Sequence, residues 1–486
     1  MAGIGFQLQK MFKEDYYSSR VKAYLYSVFV TAGPWLLIIF TLFLIQNILG
    51  FAKGVNIENK ELFLLSISYC FIFSQVLYGV QQLAVTRYVA DCLYEKQEGK
   101  VFASFIGFAK ITLLAAFLLW CIFAAFSELP LYIELLILGI FAVLNLIWVM
   151  LLYLSGAKNY QSIALAFLTG GGTGAACMVI LLYTGTFAFG TYTQAVLMLA
   201  SFFAGLGITL LWLTHAMYLT FPIRTAKGQF QYLTYFDRYP SLVICGFCYN
   251  AGLWASNWII WIHEGKAPKY GVFFSYPSYD TALFYAYLTI IPIYMLFVVS
   301  IETRFYERYR TFYSAINQGG TLQQILTAKS KMLVVLKQEL ERLLRNQGLI
   351  TAAVLLAAIF ILPEMIYNDK TLEIFRCTAI GAFCNGMTLV MILLQLYFDD
   401  RKGAAWTAAL FITGIAAATL LLLPLGYKGY GFGFALGSLI SYSFGHLRLF
   451  TYVEKADYHA FSAKQPVLKS TLFTKTAAFL NERFSS

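Results

Sequence analysis

The sequence predicts an all-α integral membrane protein with about twelve transmembrane helices in two six-helix halves, related as a parallel pseudo-repeat. Three observations predict this fold: long apolar spans, alternating charge in the loops between them, and an internal duplication. Of the 486 residues, 60% are apolar and only 12% are charged. That composition lies outside the range of soluble domains of this length.

Twelve apolar spans are each long enough to cross a hydrocarbon core of about 30 Å as a helix. They run at 24–49, 62–85, 101–126, 130–154, 161–183, 191–218, 241–262, 281–301, 349–366, 372–398, 404–425 and 430–451. The first span is too long for the apolar region of a signal peptide, so we expect it to be retained as a helix.

Lys and Arg residues alternate between the loops and predict the orientation. With the N-terminus inside, the outer loops hold six of the 35 basic residues: Lys53, Lys60, Lys266, Lys269, Lys370 and Lys428. Lys110 and Arg376 fall within spans. The other 27 lie in the inner segments or, in the case of Arg448, at the inner end of the last span. This asymmetry predicts a multi-pass protein of the bacterial inner membrane with both termini in the cytoplasm.

Three short motifs recur in the same order in both halves. The pairs are Ala32-Gly33-Pro34-Trp35 with Ala251-Gly252-Leu253-Trp254, Thr86-Arg87-Tyr88 with Thr303-Arg304-Phe305, and Leu152-Tyr153-Leu154 with Leu396-Tyr397-Phe398. Their offsets are 219, 217 and 244 residues, so the duplication predicts an insertion of 27 residues between spans eight and nine. Since six spans per half give both halves the same orientation, we expect a substrate path between them.

The chain therefore divides into a cytoplasmic interfacial helix at 1–23, an N-terminal half at 24–220, a C-terminal half at 221–460 with a helical insertion at 302–348, and a basic cytoplasmic tail at 461–486. Apolar residues recur near a 3.6-residue period in the insertion. A helix that docks a cytoplasmic partner and a helix on the membrane surface both fit this pattern. The predicted docking residues are Leu322, Leu336, Leu340 and Leu343.

Polar groups inside the spans are the candidates for a substrate pathway, because they are costly in a bilayer. Lys110 lies deep in span three, where its ammonium either lines a channel or snorkels to the surface. The amides are Gln75, Asn145, Asn250, Asn257, Asn385 and Gln395. Interhelical hydrogen bonding explains single amides of this kind. A cluster of amides and aromatic rings would also suit neutral sugars.

Arg87 and Asp91 are four residues apart near the inner end of span two. An ion pair within the helix is one interpretation. The other is a cytoplasmic gate that includes Arg304 of the second half. The run Gly170-Gly171-Gly172-Thr173-Gly174 lacks the Lys-Ser/Thr ending of a phosphate loop, so we expect it to pack a helix closely.

The sequence predicts no enzyme activity, no metal site and no cofactor. It contains no Walker motif, nucleophile elbow or metal-ligand cluster, and its four histidines form no catalytic set. The net charge of +11 comes from basic residues beside span ends. Because anionic lipid headgroups lie there, membrane lipid rather than nucleic acid is the expected partner.

Four motifs resemble those of the Pel exopolysaccharide transporter family (PelG): Met1-Ala2-Gly3-Ile4-Gly5-Phe6, Ala32-Gly33-Pro34-Trp35, Thr86-Arg87-Tyr88-Val89-Ala90-Asp91 and Phe398-Asp399-Asp400-Arg401. That family is similar to the multidrug/oligosaccharidyl-lipid/polysaccharide flippases, which have two six-helix halves. The resemblance implies export of a partly N-acetylated, galactosamine-rich polymer. It also implies a cytoplasmic glycosyltransferase and small membrane proteins as partners.

Two energy sources stay open at this point. The scarcity of carboxylates within the spans favours threading driven by polymerisation over alternating access driven by an ion gradient. The alternatives are an ion-coupled flippase of lipid-linked oligosaccharides, a drug exporter, and a membrane scaffold that only recruits the synthase.

Overall fold

A computed structural model describes residues 56–484, apart from 185–189, 224, 226, 266–267, 361–368 and 463–470. These residues are nearly all helical and form no β-strand beyond one isolated bridge between Lys269 and Phe273. The predicted all-α fold class is confirmed. The interfacial helix at 1–23, the first span and the motif at 32–35 lie outside the described residues.

The helices up to the seventh predicted span are α1 Ile57–Tyr94, α2 Glu98–Phe126, α3 Leu131–Gly156, α4 Tyr160–Thr184, α5 Thr193–Thr220, α6 Thr234–Arg238 and α7 Pro240–Glu264. Those that follow are α8 Pro277–Leu288, α9 Ile291–Val299, α10 Tyr306–Asn317, α11 Leu322–Phe360, α12 Asp369–Tyr397, α13 Arg401–Leu422, α14 Tyr427–Val453, α15 Ala456–Ser462 and α16 Leu472–Phe484. A π-helical turn at Ser300–Phe305 joins α9 to α10.

Among the described residues, nine helical runs are long and apolar enough to cross a membrane. One of them, Pro277–Asn317, combines α8, α9 and α10. Helices α7 and α14, with 25 and 27 residues, also have the necessary length. The chain is therefore a multi-pass membrane protein.

The described residues form two compact units. Unit N consists of those within Gly33–Asn250, Lys266–Phe274 and Val467–Ser486. The described residues of unit C come from Ala251–Gly265 and Ser275–Pro466. Helix α7 contributes its first part to unit N and the remainder to unit C.

The predicted insertion is not a separate helix. Helix α11 is continuous from Leu322 to Phe360, so it joins the insertion to the ninth predicted span. Its 39 residues correspond to about 58 Å of helix, whereas the hydrocarbon core needs about 30 Å. The segment at 322–348 therefore extends the ninth predicted span as one continuous helix, and its position relative to the membrane surface stays a prediction.

Four turns end their helices in the same way, with one residue at positive φ: Lys96, Lys158, Gly319 or Asp399. In each turn the next N–H reaches back to a carbonyl of the last helical turn, as in a Schellman cap. Lys96 and Gly319 are 223 residues apart, and Lys158 and Asp399 are 241 apart. The offset between matching positions of the two halves is 217 residues at Thr86 and Thr303, so it grows both before and after Gly319. The additional residues of the second half are therefore shared between the helices before and after that turn.

In each unit, two consecutive spanning helices cross at glycines: α4 and α5 in unit N, and α13 and α14 in unit C. In unit N, a Cβ on Gly205 of α5 would lie 2.6 Å from the carbonyl oxygen of Gly170 and 2.9 Å from the Cα of Gly174 on α4. In unit C, a Cβ on Gly437 of α14 would lie 2.3 Å from the backbone nitrogen of Ile415 on α13. Close helix packing by the glycine run at 170–174 is confirmed.

A second arrangement recurs in both units, at the start of α4 in unit N and of α13 in unit C. In unit N, Asn159 accepts the N–H of Ser162 at 3.4 Å and donates to Oγ1 of Thr220 at 3.0 Å. In unit C, Asp400 accepts the N–H of Gly403 at 3.0 Å and is held by Arg448. Each side chain caps one helix and binds the end of the next, as a duplication would produce.

Candidate functional site

Unit C contains a carboxylate that the apolar spans do not predict. Asp280 lies in the first turn of α8, after Pro277 has started the helix. Its Oδ1 accepts hydrogen bonds from Asn257 Nδ2 at 2.8 Å and Trp261 Nε1 at 2.7 Å. Its Oδ2 accepts the backbone N–H of Tyr276 at 3.1 Å. These three donors are neutral, so they orient the carboxylate without neutralising it.

A second hydrogen bond joins the same two helices. Tyr279 of α8 is fully buried and donates to Oγ of Ser256 on α7 at 2.8 Å. Asn257 is 2% exposed, and its Oδ1 has no hydrogen-bond partner. An oriented carboxylate beside an unsatisfied amide oxygen can hold a proton, a small cation or the hydroxyl of a sugar. We define Ser256, Asn257, Trp261, Tyr279 and Asp280 as the Asp280 cluster.

Sequence reasoning missed Asp280 because the eighth apolar span begins at residue 281. The available signal was local: Pro277 and an acid three residues later mark the start of a helix. No sequence feature showed that Asn257 and Trp261, more than a dozen residues earlier, would donate to this acid.

Lys110 of unit N does not stand alone in a channel. Its Nζ donates to Oε1 of Gln229 at 2.8 Å and lies 5.9 Å from the ring of Phe484. Gln229 is 5% exposed, and its carbonyl oxygen would lie 2.1 Å from a Cβ on Gly107. The glycine therefore lets the segment after α5 approach α2, one turn before Lys110.

The C-terminal helix α16 docks on this same segment. Thr474 donates from its N–H and its hydroxyl to Oδ2 of Asp237, at 2.7 and 2.8 Å. Asn481 accepts the N–H of Phe230 at 2.9 Å, and Ala477 between them is 2% exposed. The tail that the sequence predicted only as basic therefore ends in a helix packed against unit N.

The docking of α16 should depend on the charge of Asp237. Desolvation raises the pKa of this carboxyl, but hydrogen bonds from Thr471 and Thr474 outweigh it and leave the pKa below its usual 3.8. A lowered pKa means that the bonds stabilise docking above pH 4 and are lost as the pH falls through the lowered value. Asp237→Ala should speed amide hydrogen exchange in α16 about fivefold at neutral pH.

The control for this prediction is Asp457→Ala, which removes a half-buried partner of Lys329 in unit C. Exchange in α16 should be unchanged in that variant. Equal exchange in wild type and Asp237→Ala would show that the hydrogen bonds to Thr474 do not hold the helix.

The predicted gate residues have partners inside their own units. Arg87 pairs with Asp91 within α1 at 3.4 Å, and Asp91 also accepts the hydroxyl of Tyr235 at 2.9 Å. Arg304 lies 3.5 Å from Glu339 of α11. The intrahelical pair is therefore present, while the gate stays a prediction.

The predicted pathway amides fall in both units. In unit N, Asn145 is fully buried with Oδ1 unsatisfied, Asn250 packs on Gly79, and Gln75 is half-buried on α1. In unit C, Asn385 is 1% exposed. Their role as a pathway remains untested.

Gln395 has a structural role in unit C. It donates to the carbonyl of Gly445 at 3.1 Å and accepts the hydroxyl of Thr407 at 3.1 Å. Because it is fully buried and bonded on both sides between α12, α13 and α14, its amide has no exposed surface for a substrate.

The predicted docking face of the insertion needs a correction. Leu336, Leu340 and Leu343 are 0–4% exposed, because they pack inside unit C. Only Leu322 is exposed, at 71%. The amphipathic period was correctly interpreted as a helix, but its apolar face covers the chain's own core. A partner would have to bind the opposite face, which carries Leu326, Val334, Lys337, Leu344 and Arg345.

The two units of this multi-pass helical protein repeat the same turns, caps and crossings. Solved structures of membrane transporters share its fold. An outward-facing multidrug-resistance MATE family transporter of the MOP superfamily matches with a TM-score of 0.59 and 13% identity, covering 89% of this chain and 96% of that chain. A MOP superfamily transporter from Pyrococcus furiosus gives 0.57 and 14%, with the same coverage. The eukaryotic MATE transporter AtDTX14 gives 0.55 and 12%, covering 95% and 99%.

The sequence profile of one family matches residues 1–461: PelG, described as "Putative exopolysaccharide Exporter (EPS-E)". The chain belongs to the PelG family. No significant match was found among curated protein sequences. Helix α16 lies beyond the matched residues, so its docking on unit N is a feature outside the family profile.

Proposed function

We propose that this protein exports a nascent, hexosamine-rich exopolysaccharide of the Pel type across the bacterial inner membrane, with both termini in the cytoplasm. The observation that carries the proposal is the family match over residues 1–461, on a fold similar to that of MATE transporters. The proposal assigns no catalytic step to the chain. Its partners are a cytoplasmic glycosyltransferase and small membrane proteins of a synthase complex.

The chemistry of the spans fits a neutral N-acetylhexosamine polymer. The polar groups in the described part of these spans are mainly amides and aromatic rings, and the cation in span three, Lys110, is bound to Gln229. A polyanion would call for several basic side chains along its route. The route itself, between the two halves, follows from the predicted duplication and is part of the proposal.

The experiment is deletion of the gene in a producing strain, followed by measurement of polymer inside and outside the cells with a lectin. We expect secreted polymer to fall to background and to return with the wild-type gene. Continued secretion in the deletion strain would contradict the proposal. A scaffold that only recruits the synthase would instead abolish polymer synthesis altogether.

The Asp280 cluster supports a second candidate, export coupled to an ion gradient, because its carboxylate can bind and release a proton or a small cation. We expect polymerisation to drive export. Inverted vesicles that hold the synthase should therefore take up polymer at an unchanged rate when ionophores collapse the gradients. Asp280→Asn should change this rate less than twofold. Loss of uptake in both cases would establish ion coupling at Asp280.

A further inference from the structure

Helix α10 presents three tyrosines on one face, and nothing described above uses them. Tyr306, Tyr309 and Tyr313 follow an i, i+3, i+7 spacing, which aligns them along about 10 Å of helix. The ring centroids of Tyr306 and Tyr309 are 6.4 Å apart at 21°, and those of Tyr309 and Tyr313 are 4.6 Å apart at 46°. All three are half-buried. We call them the tyrosine ladder.

The middle of the ladder is fixed to the helix beside it. Tyr309 donates its hydroxyl to the carbonyl of Tyr397 at 3.0 Å, and its ring meets that of Phe398 edge-on at 5.7 Å. Phe305 and Phe312 are fully buried beneath the ladder. The two outer rings, Tyr306 and Tyr313, are therefore held on a rigid base while part of each ring stays exposed.

Charged groups border the ladder at the end of α12. Asp399, with a side chain 51% exposed, pairs with Arg401 at 3.1 Å. Its carboxylate lies within electrostatic reach of Tyr313 and of Tyr452. Tyr452 is stacked flat on His459, with centroids 3.9 Å apart. The surface thus combines half-buried tyrosine rings with a carboxylate and a guanidinium at its edge.

We propose that the tyrosine ladder, with Asp399 and Arg401 at its edge, is a binding site for uncharged N-acetylhexosamine oligomers. A pyranose ring presents C–H groups on its face and hydroxyls at its edge. The C–H groups match the electron-rich face of a tyrosine, and the hydroxyls and acetamido groups match charged hydrogen-bonding groups. The ladder is longer than one ring, so it can hold successive sugars of one chain.

This inference rests on the proposed function, because it names where that polymer is received. The ladder follows the eighth predicted span, whose inner end lies on the cytoplasmic side in the predicted orientation. A polymer made in the cytoplasm would meet the ladder before it enters the spans. Tyrosines at a membrane interface also contact lipid headgroups. Here, however, the middle ring of the ladder, Tyr309, packs on Tyr397 and Phe398, so the ladder is fixed to the protein.

The test compares two double variants of the full-length protein in nanodiscs: Tyr306→Leu with Tyr313→Leu, and Tyr306→Phe with Tyr313→Phe. The probe is an N-acetylgalactosamine oligosaccharide, and binding is measured by calorimetry and by saturation-transfer NMR. Wild type and the phenylalanine variant should bind it with similar affinity. The leucine variant should bind about tenfold more weakly, since two stacking faces are lost.

Thermal unfolding of both variants shows whether the fold is intact, and Tyr309 is left unchanged because it holds α10 to α12. Equal binding by the leucine variant and wild type would overturn the proposal, as would absence of binding by wild type. Unchanged sugar binding combined with weaker association to anionic lipid vesicles would assign the ladder to lipid.

The export assay in cells separates this inference from the proposed function. If wild type exports polymer and the folded leucine variant exports at the same rate, the ladder is not the receiving site but the function stands. If wild type does not export, the proposed function itself fails.

Discussion

Arg448→Met should destabilise unit C by about 2–4 kcal/mol, because it leaves a buried carboxylate without its partner. Asp400 is 4% exposed, and Arg448 approaches it with two nitrogens, at 2.7 and 3.0 Å. The side chain of Arg448 is 39% exposed, so solvent offsets part of the lost stabilisation. The measurement is the free energy of unfolding in a mild detergent.

Two further variants decide whether the uncompensated charge is the cause. Asp400→Asn combined with Arg448→Met should recover most of the stability, because the amide keeps the cap on Gly403 without a charge. Arg401→Met is the matched control, since its partner Asp399 is half exposed. It should change stability by less than about 1 kcal/mol. A loss in this control as large as that in Arg448→Met would contradict the explanation.

Gly205→Ala should destabilise unit N by about 1–3 kcal/mol, because the added methyl would overlap the backbone of α4. The carbonyl oxygen of Gly170 would lie 2.6 Å from the new Cβ, and the Cα of Gly174 would lie 2.9 Å away. Backbone atoms of a packed helix cannot rotate out of the way as a side chain does. The helices would have to separate and lose contact along their length.

Gly207→Ala on the same helix is the control, because nothing lies within 4 Å of its Cβ position. There the substitution should leave stability unchanged or raise it slightly, since alanine favours a helix. Thermal unfolding of both variants in nanodiscs makes the comparison. Equal midpoints would contradict the close crossing of α4 and α5.

The parts of the fold that depend on local sequence could be predicted. Long apolar stretches become spanning helices because the bilayer leaves the backbone few alternatives. The glycine run at 170–174 indicated a close crossing, because residues without a side chain let two helix backbones approach each other. The period of the 322–345 region correctly predicted a helix with one apolar face.

Contacts between distant residues could not be predicted. The helical period could not show that Leu336 and Leu343 pack inside unit C. An apolar helix face has the same sequence pattern whether it packs on the protein's own core or on a partner. Docking of α16 depends on Thr474 meeting Asp237, which is 237 residues earlier. The Asp280 cluster joins the end of one span to the start of the next, where hydropathy has no signal.

The central claim is that this chain itself moves the polysaccharide across the membrane. The most direct measurement uses sealed proteoliposomes that contain the purified protein and the synthase, oriented with the synthase outside. Radiolabelled nucleotide sugar is added, and the labelled polymer that resists an added glycosidase is counted. We expect protected polymer to accumulate with wild type and to be absent without the chain. Protected polymer in equal amounts with and without the chain would contradict the claim.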